Sequence, residues 1–224
     1  MFNHSDHDFL ANNMKIIVSS IESKLDEPFF IEYRSKAIDT ISKYIAAIRK
    51  LEQSDIKREL YSNNDNEAEE FIRSHYCDLV KSIRNNDAIQ IFDALRHSFS
   101  CYAYNGLHQL YTRQENESWH PKIRLTEVLF PNDIDLLNET LTLYRGCDIS
   151  EFKDKEFGQA WTTSLNVAED FAYNHYSGQE WFDTEKRVVL KTTYSKNHVL
   201  FSDQSIEYEV AIDTKKLDHV QRYK

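Results

Sequence analysis

Glycine and proline are scarce in this chain of 224 residues, which contains four glycines and three prolines. Tight turns depend on these two residue types, so their scarcity argues against a protein built throughout from short strands and turns. The same scarcity excludes the glycine-rich phosphate loops of the Walker and GxGxxG types. The composition therefore favours a protein rich in helix, with a limited β portion.

Cysteine is also scarce, with three residues at wide spacing, Cys77, Cys101 and Cys147. This odd number fits neither a disulfide framework nor a zinc site, so we expect reduced thiols and a cytosolic protein. His4 and His7 have a spacing seen in metal sites, but they lack a set of cysteine or acidic partners, and we predict no metal.

Long apolar runs are missing as well. No stretch of 18 apolar residues occurs, and residues 1–20 lack the basic start, apolar core and small-residue cleavage site of a secretory signal. We therefore predict no membrane partner and a cytoplasmic location, which includes delivery into the cytosol of a target cell.

The chain carries a net charge of −10 at neutral pH. Non-specific binding to nucleic acid depends on lysine and arginine, so the acidic balance favours a protein partner over a nucleic acid. Hydrophobic residues make up 41% and charged residues 29% of the sequence. These fractions are ordinary for a soluble globular protein, and a chain of this length can bury a substantial core.

Helical periodicity dominates the first half of the chain. The clearest case is an apolar stripe between residues 30 and 52. Its members are Ala37, Ile38, Ile41, Tyr44, Ile45, Ile48 and Leu51. Further helices are predicted over 12–25, from Glu67 onward, and from about residue 88 to Tyr111, with a break at Gly106.

From residue 140 the pattern changes to strands interrupted by one helix, which we expect Asn166 to cap. Runs rich in β-branched and aromatic residues predict strands at 142–144, 160–163, 187–194, 198–201, 207–212 and 219–223. The polar segment 112–118 separates the halves. We therefore predict an α+β protein with a helical region over 1–118 and a second domain over 119–224.

Three short motifs in the second half carry the chemistry. They are Leu143-Tyr144-Arg145-Gly146, Trp161-Thr162-Thr163-Ser164 and Ile206-Glu207-Tyr208-Glu209-Val210. As strand ends, they would bring one cation, a hydroxyl cluster and two carboxylates to a common cleft. Strand alternation would place Glu207 and Glu209 on one face, about 6 to 7 Å apart, with Tyr208 on the other. Such a set suits a reaction that builds positive charge at a sugar carbon.

The order of these motifs, an arginine, a Ser/Thr triplet and then Glu-x-Glu, resembles the mono-ADP-ribosyltransferases of the arginine-serine-glutamate class. The resemblance covers residues 141–212. It departs at the triplet, which reads Thr-Thr-Ser here and is usually Ser-Thr-Ser in the family. The resemblance implies a split antiparallel β-sandwich behind an N-terminal helical bundle, with NAD⁺ bound in the cleft as co-substrate and no metal.

The resemblance also implies roles for the first two motifs. Arg145 would hold the phosphates and the nicotinamide ribose, and Gly146 would let the backbone approach the carboxamide. Thr162, Thr163 and Ser164 would line the NAD⁺ site, with Thr162 hydrogen-bonded to the catalytic glutamate. Ordinary structural roles stay open for each: a strand-end arginine, a turn glycine, strand threonines, and a serine that opens the next helix.

Glu209 matches the catalytic glutamate of the family. Cleavage of the bond between nicotinamide and ribose builds an oxocarbenium-like cation, which a carboxylate at the ribose 2′-hydroxyl stabilises. Glu207 would serve the acceptor, because a glutamate at this position accompanies arginine acceptors in the relatives and can draw off a guanidinium proton. Paired acids are also common on exposed strands, which leaves a structural alternative for Glu207.

Two loops complete the implied site. The loop 176–183 corresponds to the phosphate and nicotinamide loop of the family, and we expect Trp181 to cover the nicotinamide ring, followed in preference by Phe182 and Tyr176. The loop 202–206 would face the acceptor.

These features predict an enzyme that cleaves NAD⁺ and transfers ADP-ribose to a macromolecule, with protein arginine as the favoured acceptor. An alternative within the class is ADP-ribosylation of RNA or DNA by a toxin or an anti-phage effector. Both imply an inhibitory antitoxin or immunity partner. The alternative from another class is a helical interaction or adaptor protein whose C-terminal domain keeps the fold without catalysis.

Overall fold

The computed structural model describes residues 1–54, 65–108, 110–112, 119–179 and 182–224. Within them the chain forms seven α-helices and one six-stranded antiparallel sheet, which confirms the α+β class. The chain divides into two compact units. Residues 1–111 and 118–124 form the helical unit, and residues 112–117 and 125–224 form the sheet unit.

The helical unit is built from five helices around one apolar core. They are α1 (His4–Asp8), α2 (Val18–Leu25), α3 (Arg34–Glu52), α4 (Glu67–Val80) and α5 (Asn86–Asn105), with a π-helical turn at Phe9–Asn13 after α1. The predicted stripe is confirmed, since six of its residues are buried in α3 and Ile38 is partly buried against the same core. These side chains hold the unit together by removing apolar surface from water.

Polar caps set the boundaries of these helices. Asn66 and Glu69 form a reciprocal capping box at the start of α4, and Asn85 accepts a hydrogen bond at the start of α5. Helix α5 ends where Gly106 adopts φ 74°, which confirms the predicted break. The first predicted helix is shorter than expected, because Lys15 has a positive φ of 54° and α2 begins only at Val18.

Residues 119–124 pack with the helical unit and not with the sheet. Ile16 and Ile123 form an antiparallel bridge, the Ile17 amide donates to Lys122 O at 2.8 Å, and the Arg124 amide donates to Lys15 O at 3.0 Å. The last segment of the helical unit therefore ends at Arg124, whereas the predicted helical region ends at residue 118.

The sheet unit contains β1 (Thr140–Asp148), α6 (Ile149–Asp154), β2 (Ala160–Thr162), α7 (Leu165–Tyr173), β3 (Arg187–Ser195), β4 (Val199–Asp203), β5 (Glu209–Ile212) and β6 (Val220–Arg222). The strand order is β4-β5-β2-β1-β3-β6. Strands β1 and β3 pair over nine residues, whereas the backbone ladder between β1 and β2 contains one pair, Tyr144 and Thr162. We call this junction the seam. It nearly divides the sheet into two three-stranded halves.

The two faces of the sheet are covered differently. The main core lies on one face, where Leu143, Cys147, Trp161 and Val210 are buried together. On the other face α7 packs its small residues against Val189 and the neighbouring part of β1. In the part of the chain that the structure describes, no helix is both long and apolar enough to cross a membrane.

Candidate functional site

One row of cross-strand neighbours runs through all six strands and includes the predicted catalytic glutamate. In sheet order, its members are Asp203, Glu209, Thr162, Tyr144, Lys191 and Gln221. Paired residues in an antiparallel sheet project from the same face, and successive residues of a strand alternate between faces. The row therefore lies on the face opposite the main core.

Within this row, Thr162 and Glu209 are directly paired neighbours on β2 and β5. Thr162 is buried and Glu209 is half-buried, so the glutamate lies at the edge of the packed interior. The structure thus brings together the second and third motifs, at the strand that borders the seam.

The hydroxyl of Thr162 donates to the main-chain oxygen of Glu207 at 2.8 Å and accepts from the Ser164 amide at 3.0 Å. A hydroxyl has a single proton to donate, so the expected bond from Thr162 to the Glu209 carboxylate is not the one formed here. The Thr163 amide donates to Tyr208 O at 3.1 Å. The two threonines therefore fix the main chain that leads into Glu209.

Ser164 is the N-cap of α7 and accepts a bond from the Val167 amide at 3.4 Å. The expected cap, Asn166, lies inside the helix. The third hydroxyl of the triplet therefore has the structural role that was left open for it, and a contact between Ser164 and NAD⁺ stays a prediction.

We expected the Glu-x-Glu segment to lie on one continuous strand, but it does not. Strand β5 begins at Glu209, and Tyr208 before it has a left-handed φ of 50°. Strand alternation does not extend across such a residue, so the argument that placed both carboxylates on one strand face does not hold. Glu207 lies in the preceding bend and is exposed, while Glu209 is held in the sheet.

Arg145 projects from the other side of the sheet. It is paired with Leu190, it alternates with Tyr144 and Gly146, and it is only 4% exposed. Its Nε and Nη2 donate to the two carboxylate oxygens of Glu151 at 2.8 Å each, and Nη1 donates to Ala160 O at 2.6 Å. We predicted that the Arg145 guanidinium would bind a phosphate, but in the structure it binds the Glu151 carboxylate.

Glu151 and Gly158 are site residues that sequence reasoning missed. Glu151 also accepts from the Gly158 amide at 2.9 Å, so one carboxylate ties α6 to β1 and to the approach to β2. A Cβ at Gly158 would lie 2.2 Å from Nη2 of Arg145. Helix α6 has only six residues, too few for periodicity, and the one usable signal was the N-cap Asp148.

Gly146 has a packing role in the structure. A Cβ there would lie 2.0 Å from Ala168 O and 2.5 Å from the Ala172 amide nitrogen, both in the backbone of α7. We predicted that the backbone at Gly146 would approach a nicotinamide carboxamide, but in the structure it approaches helix α7. Contact of Gly146 with a nicotinamide stays a prediction.

The loop 176–183 contains the aromatic residues proposed to cover the nicotinamide. Trp181, our first choice, lies outside the described residues. Tyr176 packs beside Phe171 and His175, and the Arg187 guanidinium lies over the Phe182 ring at 5.6 Å. Neither ring lies alone on the surface, and the choice between them stays open.

The carboxylates of Glu209 and Glu207 lie in different environments. Glu209 is partly shielded and fixed through its backbone, because Ser202 Oγ and Gln204 Nε2 donate to its carbonyl oxygen at 3.1 and 3.2 Å. Glu207 is exposed on a segment that Thr162 holds in place. In the described ranges no group of three histidine, cysteine or acidic residues is arranged to hold a metal ion.

In comparisons with protein-family models, with curated proteins and with solved structures, nothing matches this chain.

Proposed function

We propose that this protein is a mono-ADP-ribosyltransferase that cleaves NAD⁺ and transfers ADP-ribose to a macromolecular acceptor. The observation that carries the proposal is the pairing of Thr162 with Glu209 next to the seam, where the Ser/Thr motif and the Glu-x-Glu motif meet. The two motifs are more than 40 residues apart in sequence. Their juxtaposition supports the resemblance on which the activity is inferred.

The finer fold class, a split antiparallel β-sandwich, belongs to the same proposal. Its support is the single residue pair that joins β4-β5-β2 to β1-β3-β6, which leaves the rest of the boundary without a strand ladder. A dinucleotide bound there would lie beside Glu209. The seam is therefore our proposed NAD⁺ site.

Glu209 is the proposed catalytic residue. A carboxylate held beside the ribose stabilises the cation that forms as nicotinamide leaves, and a partly shielded position strengthens this interaction relative to bulk water. The backbone bonds from Ser202 and Gln204 keep the residue in place before the substrate binds. A preorganised group of this kind loses little energy to reorganisation during the reaction.

Glu207 is the proposed acceptor residue, and its exposure supports a macromolecular acceptor. A carboxylate on the surface can pair with the guanidinium of a protein arginine and accept its proton. The neighbouring Ile206 and Tyr208 are exposed by 81% and 45%, which adds apolar contact area for a protein surface. Protein arginine thus stays the favoured acceptor, ahead of RNA or DNA.

Arg145 enters the proposal as a positioning residue. Its guanidinium joins Glu151 to Ala160 O, and so it links β1 to β2 beside the seam from the core side. We propose that Arg145 maintains the geometry of the site and does not contact the phosphates directly.

The test is release of labelled nicotinamide from NAD⁺ by purified protein, with an arginine-rich protein as acceptor. Glu209→Gln should lower the rate about 10²- to 10³-fold, the loss seen when one preorganised electrostatic partner is removed. Glu156→Gln, a change at an exposed acid of the same unit, is the matched control and should keep the rate. Glu207→Gln should keep slow NAD⁺ cleavage and lose transfer to arginine.

The outcome separates the candidate functions. If wild-type protein releases no nicotinamide, with or without cell extract, the transferase proposal fails and the adaptor function is favoured. The mass of the modified species identifies the acceptor. ADP-ribose found only on RNA or DNA would overturn the arginine assignment and leave Glu209 as the catalytic residue.

A further inference from the structure

Lys191 is the only cation in the cross-strand row that contains Glu209. The two residues are separated by β2 and β1, and three strand spacings correspond to roughly 14 Å. The row therefore has a negative end, formed by Asp203 and Glu209, and a positive end at Lys191. This polarity matches NAD⁺, whose nicotinamide end is cationic and whose diphosphate is anionic.

Two aromatic rings hold the Lys191 ammonium in position. Its Nζ lies 5.8 Å from the ring centre of Tyr144 and 5.4 Å from that of Tyr223, and the two rings are in edge contact at 5.7 Å. An aromatic face attracts a cation without using up its N–H donors on an oxygen. The ammonium thus lies against two rings and keeps N–H donors for an anion.

Neighbouring lysines of the sheet unit are bound differently. Lys186, Lys196 and Lys224 each pair with a carboxylate. Within the described parts of the chain, Lys191 has no carboxylate within 4.0 Å, although it is half-buried in a protein of net charge −10. A half-buried ammonium without an acidic partner is available to pair with the charge of an anionic ligand.

The two buried arginines near the row have other contacts. Arg145 binds Glu151 on the core face. Arg187 is 4% exposed and donates to Ala172 O at 3.2 Å and Phe171 O at 3.3 Å, where it caps the last turn of α7. Lys191 is therefore better placed for a ligand that lies along the row.

We infer that Lys191, held between Tyr144 and Tyr223, binds the diphosphate of the dinucleotide whose ribose lies at Glu209. This inference rests on the proposed function, because it takes the ligand from that reaction. It assigns to Lys191 the phosphate contact that the sequence had given to Arg145. The nucleotide would then extend across the seam, from β5 towards β3.

The test is calorimetric titration with ADP-ribose, ADP and adenosine, which requires no turnover. Lys191→Met keeps most of the side-chain length and removes the charge, and we expect it to weaken binding of ADP-ribose and ADP at least tenfold. Binding of adenosine should change less than twofold. Lys191→Arg should restore most of the affinity, and Lys186→Met is the control for loss of a surface charge. Thermal melting of each variant tests whether the fold is kept.

The inference and the proposed function can fail separately. If wild-type protein releases nicotinamide and Lys191→Met keeps the same KM for NAD⁺, the inference is wrong and the transferase proposal stands. If ADP binds with a dependence on Lys191 but no nicotinamide is released, the anion site stands and the transferase proposal fails. An equal loss of affinity for adenosine and ADP would also contradict a phosphate contact.

Discussion

Glu151 binds both Nε and Nη2 of Arg145, at 2.8 Å each, and the two side chains are only 1% and 3% exposed. The pair lies on the core face of the sheet, opposite the row that carries Glu209. Burial removes the hydration of both ions. Removal of one partner therefore leaves the other charge buried without compensation and destabilises the fold. The role of Arg145 in the candidate site is therefore structural in the first place and chemical only in the second.

The first prediction follows from this pair. Glu151→Gln leaves the Arg145 charge buried and should lower the free energy of unfolding by about 3 to 5 kcal/mol, the usual cost of removing one partner of a buried pair. Urea denaturation, followed by the fluorescence of the buried Trp161, measures the loss.

Lys186→Met is the matched control, because it breaks the exposed pair with Asp183 in the same unit. Exposed pairs contribute little, so its denaturation midpoint should stay close to that of wild type. Adding Arg145→Met to Glu151→Gln should recover part of the lost stability, since no unpaired charge then remains. Equal midpoints for Glu151→Gln and wild type would show that the pair is not needed.

The second prediction concerns the contact between Gly146 and α7. Gly146→Ala places a methyl group 2.0 Å from Ala168 O, a backbone atom that cannot move alone, and should destabilise the protein by at least about 1 to 3 kcal/mol. Gly178→Ala is the control, because no atom of the described residues lies within 4 Å of the added Cβ. Its melting temperature should match that of wild type. Similar melting temperatures for both variants would refute the close packing.

The third prediction tests the left-handed backbone at Tyr208. An L-residue in this conformation costs roughly 1 to 2 kcal/mol, which Tyr208→Gly removes. Glycine also costs about 0.5 to 1 kcal/mol in backbone entropy, so the net change should be small. Ile206→Gly carries the same entropy cost but relieves no backbone strain, because Ile206 does not have a positive φ. In urea denaturation Tyr208→Gly should therefore be the more stable of the two, and the reverse order would argue against strain at this site.

The fourth prediction is a pH dependence in the helical unit. The pKa of His75 is lowered from its ordinary value of about 6.5, because burial disfavours the charged ring and the Lys43 ammonium repels it, although Asp39 and Asp78 oppose the shift. In the folded state the ring then stays neutral at a pH where the unfolded chain takes up a proton. Stability is therefore fully present above pH about 6.5 and falls as the pH drops towards the lowered pKa.

Replacement of the ring tests this linkage. The Nδ1 atom of His75 is buried and has no hydrogen-bond partner in the described structure, so His75→Phe removes a polar atom and the titration together. Thermal melting at pH 7.5 and pH 5.5 should show a smaller acid-induced decrease for this variant than for wild type. An identical decrease in both proteins would assign the acid sensitivity to other groups.

Much of the fold follows from local pattern. The buried stripe of α3 repeats at helical spacing, and Gly106 stops α5 because it can adopt a positive φ. The strands after residue 140 were found to within a few residues, since their β-branched and aromatic runs are distinctive. Helix α6 was missed because six residues contain too little periodicity.

The candidate site was predictable in part. Motif order placed Thr162 near Glu209, but the face on which Arg145 lies depends on the register of β1 with β3, which only long-range pairing defines. The turn at Tyr208 was hidden, because tyrosine seldom adopts a positive φ and no glycine marks the position. The partner of Arg145 was hidden as well, since ion pairs leave no periodic trace in a sequence.

The seam has a consequence for how such a protein can change. Because one backbone pair joins the halves, each half keeps its own ladder of backbone hydrogen bonds when exposed side chains along the boundary are replaced. Exposed boundary positions can then vary by a few substitutions, whereas Arg145, Glu151 and Gly146 have to be kept because they hold the scaffold together.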